Sequence, residues 1–496
     1  MTPTAPDHSL LALQARYGER YRWLLLLSVM VGTMASVMSS TIMNVAIPDM
    51  STHFTLGQDR AQWVTSGFMV AMTVSMLTTP WLLARYGYRR TYLSCIALLM
   101  AGGVAGGFAV HYPLVLAARV AEGLAAGVLQ PIPAIIILRA FEPNEQGRAS
   151  GLFGMGVVLA PALGPSLGGL LVDAFGWRSI FFMVVPFCLA SWWLARRYVP
   201  TTAPGGVAAN AQGMGLDWLG LLLASAGTLC LLNGLVALHS NGSAQAVALL
   251  AGAAALVLAF MAWQRHLLNQ RLRQPTQGVD PLMNLSLFAD RRFAMGSIVA
   301  FIYGIALFGS TYLLPVFMQM GLGLSPSYVG SILLPAGLVL AVTIAGVGRL
   351  ADQQPTHRLV SMGLVLLSLS FALMVTVDLQ HPQRIIPLLV CWAILGRLGL
   401  GFILPSLNIG AMRGLERTHI PQGASAINFL RMLGGAAGVS LCGIVLEWRV
   451  AAHGAQLANG PPTAERLMAF NETFLGLSAL CALALVAAWR LRDRPA

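Results

Sequence analysis

The sequence is dominated by long apolar runs that recur from Trp23 to Val486 and are separated by short polar breaks. A bilayer core needs about 20 mostly apolar residues per helix, and most of these runs reach that length. They lack the alternating apolar and polar pattern of a membrane barrel strand, so helices are the expected spans. Only 10% of the 496 residues are charged, which excludes an ordinary soluble domain. The sequence therefore predicts an all-α polytopic membrane protein with about 14 transmembrane helices.

The apolar runs group as six, two and six. A loose stretch at 200–214, rich in Gly, Ala, Pro and Thr, separates the first six runs from the inserted pair and predicts a linker. A polar segment then precedes the last six runs. We therefore predict an N-terminal six-helix bundle with a cytoplasmic tail at 1–200, a linker with two inserted transmembrane helices at 201–290, and a C-terminal six-helix bundle at 291–496.

The formal net charge of +12 raises the question of a nucleic-acid partner. No basic stripe with interleaved aromatic residues occurs, and the basic residues, all of them arginine, sit mainly in the short polar breaks, so nucleic acid is not expected. If the spans alternate, most arginines fall on the side of the N-terminus. By the positive-inside rule, both termini are predicted to be cytoplasmic.

The two sets of six runs share internal spacings, which is typical of transporters built from structural repeats. The fourth run of each set ends at a proline expected to bend the helix. The fifth run of each set carries small residues, which let helices pack closely. The matching positions in the fourth runs are Gly123, Gly127 and Pro131 with Arg397, Gly401 and Pro405. The small residues are Ala160, Gly164 and Gly168 in the fifth run of the first set, and Gly434, Gly435 and Gly438 in that of the second.

Several short segments carry recognisable patterns: Thr41 to Pro48, Trp81 to Arg90, Gly164 to Gly169, Trp177 to Phe182, and Gly348 to Asp352. Together they resemble the EmrB-type permeases, in the fourteen-helix drug:proton antiporter branch of the major facilitator superfamily. The resemblance implies a bacterial inner-membrane exporter that uses the proton gradient as its energy source and needs no cofactor. It also implies gating or conformational roles in the fifth span and in predicted loops after the second and tenth spans. These residues are Gly164, Pro165, Gly168, Gly169, Arg85, Gly87, Arg89, Gly348 and Asp352.

The chain departs from this family pattern at three positions. Ser39 stands where the first-span signature usually has an acid, and Ala84 stands where the loop after the second span usually has an aspartate. After Arg119 the family usually continues toward a glutamine, whereas this chain has Glu122. Proton handling is therefore expected to depend on other groups.

Charged residues are rare within the predicted spans. A charge at mid-membrane costs about 2.5 to 3.5 kcal/mol on insertion scales, so each one needs a reason. Glu122 is the only carboxylate near the centre of a predicted span, and Arg119 lies one helical turn before it. We predict that Glu122 and Arg119 are the proton-coupling pair. Two alternatives stay open: an ion pair that only locks helix packing, and direct contact with substrate.

The predicted substrate cavity is drawn from polar, aromatic and arginine side chains within the spans. Arginines outnumber the central acid there, which favours anionic or weakly acidic amphipathic substrates. The alternative is that Arg397 and Arg431 only bond backbone carbonyls or cap glycine-rich bends. The candidate cavity residues are Ser39, Ser40, Asn44, Gln130, Tyr303, Tyr312, Arg397, Asn408 and Arg431.

The predicted function is proton-coupled efflux of small amphipathic compounds by alternating access. A dedicated exporter of one metabolite, such as a sugar, amino acid, siderophore or fatty acid, is the main alternative, and a passive channel is a weaker one. An enzyme is not expected, since no HExxH motif, P-loop or cysteine–histidine cluster occurs, and no metal site is predicted. The resemblance also implies a periplasmic adaptor and an outer-membrane channel as partners, in addition to the lipid bilayer.

Overall fold

The computed structural model describes residues 8–56, 58–201, 215–239, 243–273, 278–379, 381–454 and 462–491. These residues are almost entirely helical, and the only strands among them are two of two residues each. The predicted all-α class is therefore confirmed. The chain divides into two compact units, each collecting separate stretches. Unit 1 is Met1–Ser225, Trp263–Asn284 and Gly414–Ala426, and unit 2 is Ala226–Ala262, Leu285–Arg413 and Ile427–Ala496.

Unit 1 is built mainly from the first helices of the chain. They are α1 Leu10–Tyr17, α2 Tyr21–His53, α3 Gln58–Ser75, α4 Thr79–Gly107, α5 Tyr112–Leu129, α6 Ile132–Ala140, α7 Gln146–Phe175 and α8 Ser179–Tyr198. Helix α2 packs against α7 and α8, helix α5 packs against α3 and α4, and α4 also packs against α8. Apolar side chains from α2, α3, α5 and α8 form a core cluster.

Two long helices, α9 Trp218–His239 and α10 Ser243–Arg273, follow the linker. The first turns of α9 and the last turns of α10 belong to unit 1, and the rest of each helix belongs to unit 2. Strands β1 Gly215–Leu216 and β2 Val279–Asp280 pair in parallel within unit 1, just outside the helix pair. The two-helix insertion predicted from the apolar runs is thus present as helices.

A buried aspartate ties the two inserted helices together at this end. Asp217 Oδ1 accepts hydrogen bonds from the Gly220 backbone at 2.7 Å and from Trp263 Nε1 at 2.8 Å, and its Oδ2 accepts one from Gln264 Nε2 at 2.6 Å. Its carboxylate is therefore well satisfied, as a buried charge requires.

Unit 2 repeats the packing pairs of unit 1. Its helices are α11 Arg291–Val316, α12 Pro326–Gln353, α13 Thr356–Leu373, α14 Pro382–Met412, α15 Ile420–Ala452, whose first turns belong to unit 1, and α16 Ala464–Trp489. Helix α16 packs against α11 and α13, as α8 packs against α2 and α4. Helix α14 packs against α12 and α13, as α5 packs against α3 and α4. Such recurrence is expected of two structural repeats.

Twelve candidate membrane spans occur within the described residues, judged by length and composition. One of them, Trp63–Gly107, has 45 residues and covers both α3 and α4, and the 30-residue helix α7 is not among the twelve. The predicted total of about 14 spans and the cytoplasmic placement of both termini therefore stay predictions. The division of the chain at 200 and 290 also stays a prediction, because units 1 and 2 are defined by packing rather than by chain order.

The two segments predicted as loops have different outcomes: the segment 348–352 is helical, so that prediction was wrong, whereas the segment 81–90 does contain a turn, at Gly87. Gly348 is buried and Asp352 is half-buried within α12, which continues to Gln353. The segment around Arg85 and Arg89 lies within α4, where only Gly87 leaves helical geometry, with φ 78°. The polar residues here do not break a helix, since arginine and aspartate continue helical geometry at modest cost. Glycine alone adopts the left-handed region readily, so the chain reverses at Gly87.

The two matched prolines act differently. Helix α5 ends at Leu129, and Pro131 lies between it and α6, so this proline accompanies a break. Pro405 lies inside α14, which continues to Met412.

Candidate functional site

Three polar side chains meet in the interior of unit 1. Arg119 and Glu122 lie one turn apart on α5, and Ser39 faces them from α2. Arg119 Nη1 donates to Glu122 Oε2 and, at 2.8 Å, to Ser39 Oγ, while Ser39 Oγ donates to Glu122 Oε2 at 3.2 Å. All three residues are at most 2% exposed. We call this set the carboxylate cluster.

Helix α3 completes the surroundings of the Arg119 guanidinium. The guanidinium carbon lies 4.2 Å from the centre of the Phe68 ring, a cation–π contact, and Arg119 Nε donates to the Val64 carbonyl at 3.4 Å. Phe68 was not among the predicted site residues. Its role depends on the packing of α3 against α5, which local sequence does not specify.

Helix α4 approaches Glu122 through two adjacent glycines. A Cβ at Gly102 would lie 2.6 Å from Glu122 Cγ, and one at Gly103 would lie 3.4 Å from Glu122 Oε1. At Gly102 only a residue without a side chain fits this approach, whereas the distance from a Cβ at Gly103 to Glu122 would be an ordinary van der Waals contact. The sequence signal for it was available, since Gly102 and Gly103 recur four residues later as Gly106 and Gly107, a spacing that marks a close helix contact.

The carboxylate cluster is only partly satisfied. Glu122 Oε1 and Arg119 Nη2 are buried and make no hydrogen bond within the described part of the chain. A buried polar atom without a partner is costly and commonly marks a functional site. The unpaired oxygen of Glu122 is therefore a chemically available position for a proton.

Unit 2 contains a second group of predicted residues, on three of its helices. Tyr303 on α11 is 2% exposed, and it lies within electrostatic range of Arg397 on α14 and Arg431 on α15. Arg431 Nη2 donates to Asn428 Oδ1 at 2.6 Å. The structure thus brings three predicted cavity residues together and adds Asn428, which the sequence analysis missed. We call these four residues the arginine cluster.

The remaining predicted cavity residues are dispersed. Ser40 donates to a backbone carbonyl of its own helix at 2.7 Å, so its hydroxyl is already used locally. Gln130 is buried at the end of α5, and Tyr312 and Asn408 are half-buried on α11 and α14. Asn44 lies in α2, but its side chain falls outside the described structure. A single cavity formed by all nine residues stays a prediction.

The predicted gating residues of α7 also differ from one another. Gly168 is buried, and a Cβ there would lie 2.6 Å from Ile42 Cγ1 on α2. A Cβ at Gly169 would meet no heavy atom within 4 Å. The surroundings of Gly164 and Pro165 lie outside the described structure, although both belong to α7.

The predicted gating residues near the reversal in α4 contact the end of α8 and the start of the linker. A Cβ at Gly87 would lie 2.8 Å from the Thr201 carbonyl oxygen, and Arg89 Nη2 donates to the Arg196 carbonyl at 2.5 Å. Arg85 is exposed. Gly87 and Arg89 therefore hold a chain segment that follows them by more than 100 residues.

A further arginine, Arg139 on α6, was not predicted. It donates to the Arg417 carbonyl through Nε at 3.1 Å and Nη2 at 2.6 Å, and to the Tyr88 hydroxyl through Nη1 at 2.9 Å. Arg417 belongs to the short segment Gly414–Ala426 that clusters with unit 1. No local sequence signal marks this contact, since its partners are 278 residues apart.

Two curated relatives cover most of the chain. The multidrug export protein EmrB of Haemophilus influenzae is 26% identical over 445 residues, which are 88% of this chain and 82% of the relative. The riboflavin transporter RibZ of Clostridioides difficile is 24% identical over 422 residues, which are 85% of this chain and 87% of the relative. The predicted resemblance to EmrB-type permeases is confirmed.

A solved structure and a family model agree on the fold. The major facilitator proton:xylose symporter XylE has a TM-score of 0.62 and 13% sequence identity, with 95% of this chain and 96% of that chain covered. The family model described as Major Facilitator Superfamily matches residues 29–439. The polytopic helical fold, the repeated packing pairs and this match lead to one assignment: the chain is a transporter that belongs to the Major Facilitator Superfamily.

Proposed function

We propose that the chain is a proton-coupled exporter of small amphipathic compounds that works by alternating access in the bacterial inner membrane. The observation that carries this proposal is the sealed carboxylate cluster of Ser39, Arg119 and Glu122. Ionised groups at membrane depth are costly and are usually kept for ion or substrate pathways. The similarity to a multidrug export protein supports a broad, amphipathic range of substrates.

The chemistry of the cluster suits a protonation switch. A proton taken up at Glu122 Oε1 removes the negative charge that Arg119 neutralises, so the hydrogen bonds of Arg119 weaken. Ser39 can respond to either state, because a hydroxyl both donates and accepts. The two protonation states therefore differ in the forces between α2 and α5.

Alternating access requires two conformations whose balance depends on bound ligands. The protonation state of Glu122 can shift this balance, because it changes the attraction between α2 and α5. The ionised cluster stabilises the conformation in which α2 and α5 pack as they do in this structure. In the proposed cycle, Glu122 gains its proton from the outside as substrate leaves and loses it to the cytoplasm. The proton gradient then drives export without a cofactor.

The test uses purified protein in proteoliposomes and a fluorescent amphipathic compound, with and without an imposed pH gradient. We expect Glu122→Gln to abolish gradient-driven export while binding of the compound survives, because the amide keeps the volume and the contact to Arg119 but cannot carry the proton. Glu465→Gln is the matched control, since Glu465 is an exposed carboxylate in the first turn of α16. It should transport as the wild type does.

If Glu122→Gln transports with the pH dependence of the wild type, Glu122 serves packing and its role in coupling is rejected. If wild-type export itself is unaffected by a pH gradient, proton antiport is rejected for the whole protein.

A dedicated exporter of one metabolite is a second candidate, favoured by the similarity to a protein named as a riboflavin transporter. The two candidates predict different patterns of competitive inhibition of transport. Unrelated amphipathic compounds should compete with one another in a multidrug exporter, whereas only close analogues of the substrate should compete in a dedicated one. A periplasmic adaptor and an outer-membrane channel are proposed partners of either exporter, and co-purification from native membranes would test them.

A further inference from the structure

The arginine cluster of unit 2 lies midway along its helices. Arg397 is at the centre of α14 (Pro382–Met412), and Tyr303 is at the centre of α11 (Arg291–Val316). Arg431 is three turns into α15. These helices are long enough to cross a bilayer. The two guanidinium groups are therefore placed in the part of the unit that is farthest from either membrane surface.

Close helix contacts fix this arrangement. A Cβ at Gly304 would overlap the Arg431 carbonyl oxygen, so the backbones of α11 and α15 touch beside Tyr303. Tyr303 is almost fully buried, and α14, which carries Arg397, packs directly against α11. The side chains of Arg397 and Arg431 are nevertheless half-buried rather than sealed. Part of each arginine is therefore not covered by protein.

The two positive charges have no carboxylate to neutralise them within the described part of unit 2. The ion pairs found there join Arg449 and His453 to Glu472, and His381 to Asp378. Arg431 bonds to the neutral amide of Asn428, which supplies no charge. Two like charges held at membrane depth without a counter-charge are unfavourable. A bound anion would supply the missing negative charge.

Arg397 does not have the structural role of binding backbone carbonyls within the described part of the chain. Other arginines of the chain do act in that way: Arg139, Arg178 and Arg466 donate to the carbonyls of Arg417, Ala109 and Met320. Arg397 makes no hydrogen bond to any described residue, although its guanidinium carries five donors. Its donors are available for a ligand.

We propose that Arg397 and Arg431, with the Tyr303 hydroxyl, form a subsite for the carboxylate or sulfonate group of an amphipathic organic anion. A planar guanidinium matches the two oxygens of such a group. The second guanidinium adds a further favourable charge, and the bound anion lowers the net charge of the pair from +2 to +1. The inference rests on the proposed export function for its physiological meaning, but the subsite itself is a property of binding and needs no gradient.

Binding of matched pyrene compounds to the purified full-length protein in detergent tests the subsite. Pyrenebutyrate carries the anionic group, and pyrenebutanol is its neutral counterpart of similar shape. Charge-assisted hydrogen bonds are worth roughly 10- to 100-fold in affinity, so the wild type should prefer the anion by a factor in that range. Arg397→Gln and Arg431→Gln should each lose most of this preference while binding of pyrenebutanol stays unchanged.

Two further variants separate the subsite from general effects. Arg358→Gln removes an exposed arginine of the same unit and should keep the full preference, which excludes an effect of net charge alone. Arg397→Lys keeps the charge without the planar fork and should keep part of the preference, which excludes simple misfolding. Equal binding of the two compounds by the wild type, or an equal loss of preference in Arg358→Gln, would overturn the proposal.

The outcome is independent of proton coupling. If Glu122→Gln loses gradient-driven export but the wild type shows no preference for the anion, the export proposal stands and the subsite is rejected. If the anion is preferred but a pH gradient has no effect on transport, the subsite stands and proton antiport is rejected.

Discussion

At the scale of single residues, the most informative observation is that Ser39 of α2 contacts both members of the Arg119–Glu122 pair of α5. Its hydroxyl lies 2.8 Å from Arg119 Nη1 and 3.2 Å from Glu122 Oε2. Glu122 on α5 and residue 39 on α2 therefore contact the same guanidinium. A carboxylate at either position could neutralise Arg119, so it matters little for the charge which of the two helices carries the carboxylate.

This geometry predicts that the carboxylate can be exchanged between the two helices. We expect Ser39→Asp to restore gradient-driven export to Glu122→Gln in the double variant, because an aspartate at 39 reaches Arg119. Transport in proteoliposomes measures the effect. The control places Ser40→Asp in Glu122→Gln, since the Ser40 hydroxyl bonds to its own helix and does not contact Arg119. Equal export by both double variants would contradict the prediction.

At the scale of helices, small residues decide which backbones touch. Gly102 and Gly103 bring α4 against Glu122, Gly168 brings α7 against α2, and Gly304 brings α11 against α15. Adjacent glycines are not equivalent, however. Gly168 meets Ile42, whereas Gly169 faces open space within the described structure.

The contrast between these two glycines yields a prediction. Gly168→Ala should lower the thermal unfolding midpoint and slow export, since an overpacked helix contact costs about 1–3 kcal/mol. Gly169→Ala should change the free energy of unfolding by no more than about 0.5 kcal/mol, as a neutral surface substitution does, and should leave the rate of export unchanged. Unfolding in detergent and export in proteoliposomes are the two measurements. A similar loss in both variants would show that the position along α7, rather than the contact with Ile42, matters.

Much of the fold could be predicted from the sequence, because apolar runs of helical length leave few alternatives in a bilayer. The candidate site was predictable only in part. Arg119 and Glu122 share one helix, so their pairing follows from spacing, whereas Ser39 and Phe68 join them only through tertiary packing. The segment at 348–352 was misplaced in a loop because polar residues mark the end of an apolar run but do not end a helix.

At the scale of the whole molecule, chain order and packing disagree at Gly414–Ala426. The segment joins α14 to α15, whose remaining lengths belong to unit 2, yet it clusters with unit 1. Arg139 accounts for part of this attachment through its bonds to the Arg417 carbonyl and the Tyr88 hydroxyl.

This attachment can be weakened in steps. Arg139→Lys keeps the charge but cannot reproduce the forked bonds, so backbone amides of Gly414–Ala426 should exchange hydrogen faster, as measured by mass spectrometry in nanodiscs. Tyr88→Phe removes only the bond to Nη1 and should have a smaller effect. Wild-type exchange in Arg139→Lys would indicate that other contacts hold the segment.

The pairing of Glu122 with Arg119 also has an electrical consequence. When Glu122 is ionised the pair is neutral, and when Glu122 carries a proton the pair bears one positive charge. A cycle that brings this proton inward while a neutral compound leaves therefore moves one charge across the membrane, and it moves two charges if the compound is a monovalent anion. A potential of 100 mV, negative inside, contributes about 2.3 kcal/mol for each charge moved. In the proposed cycle, voltage alone can therefore drive export of a neutral or anionic compound when the pH is equal on both sides.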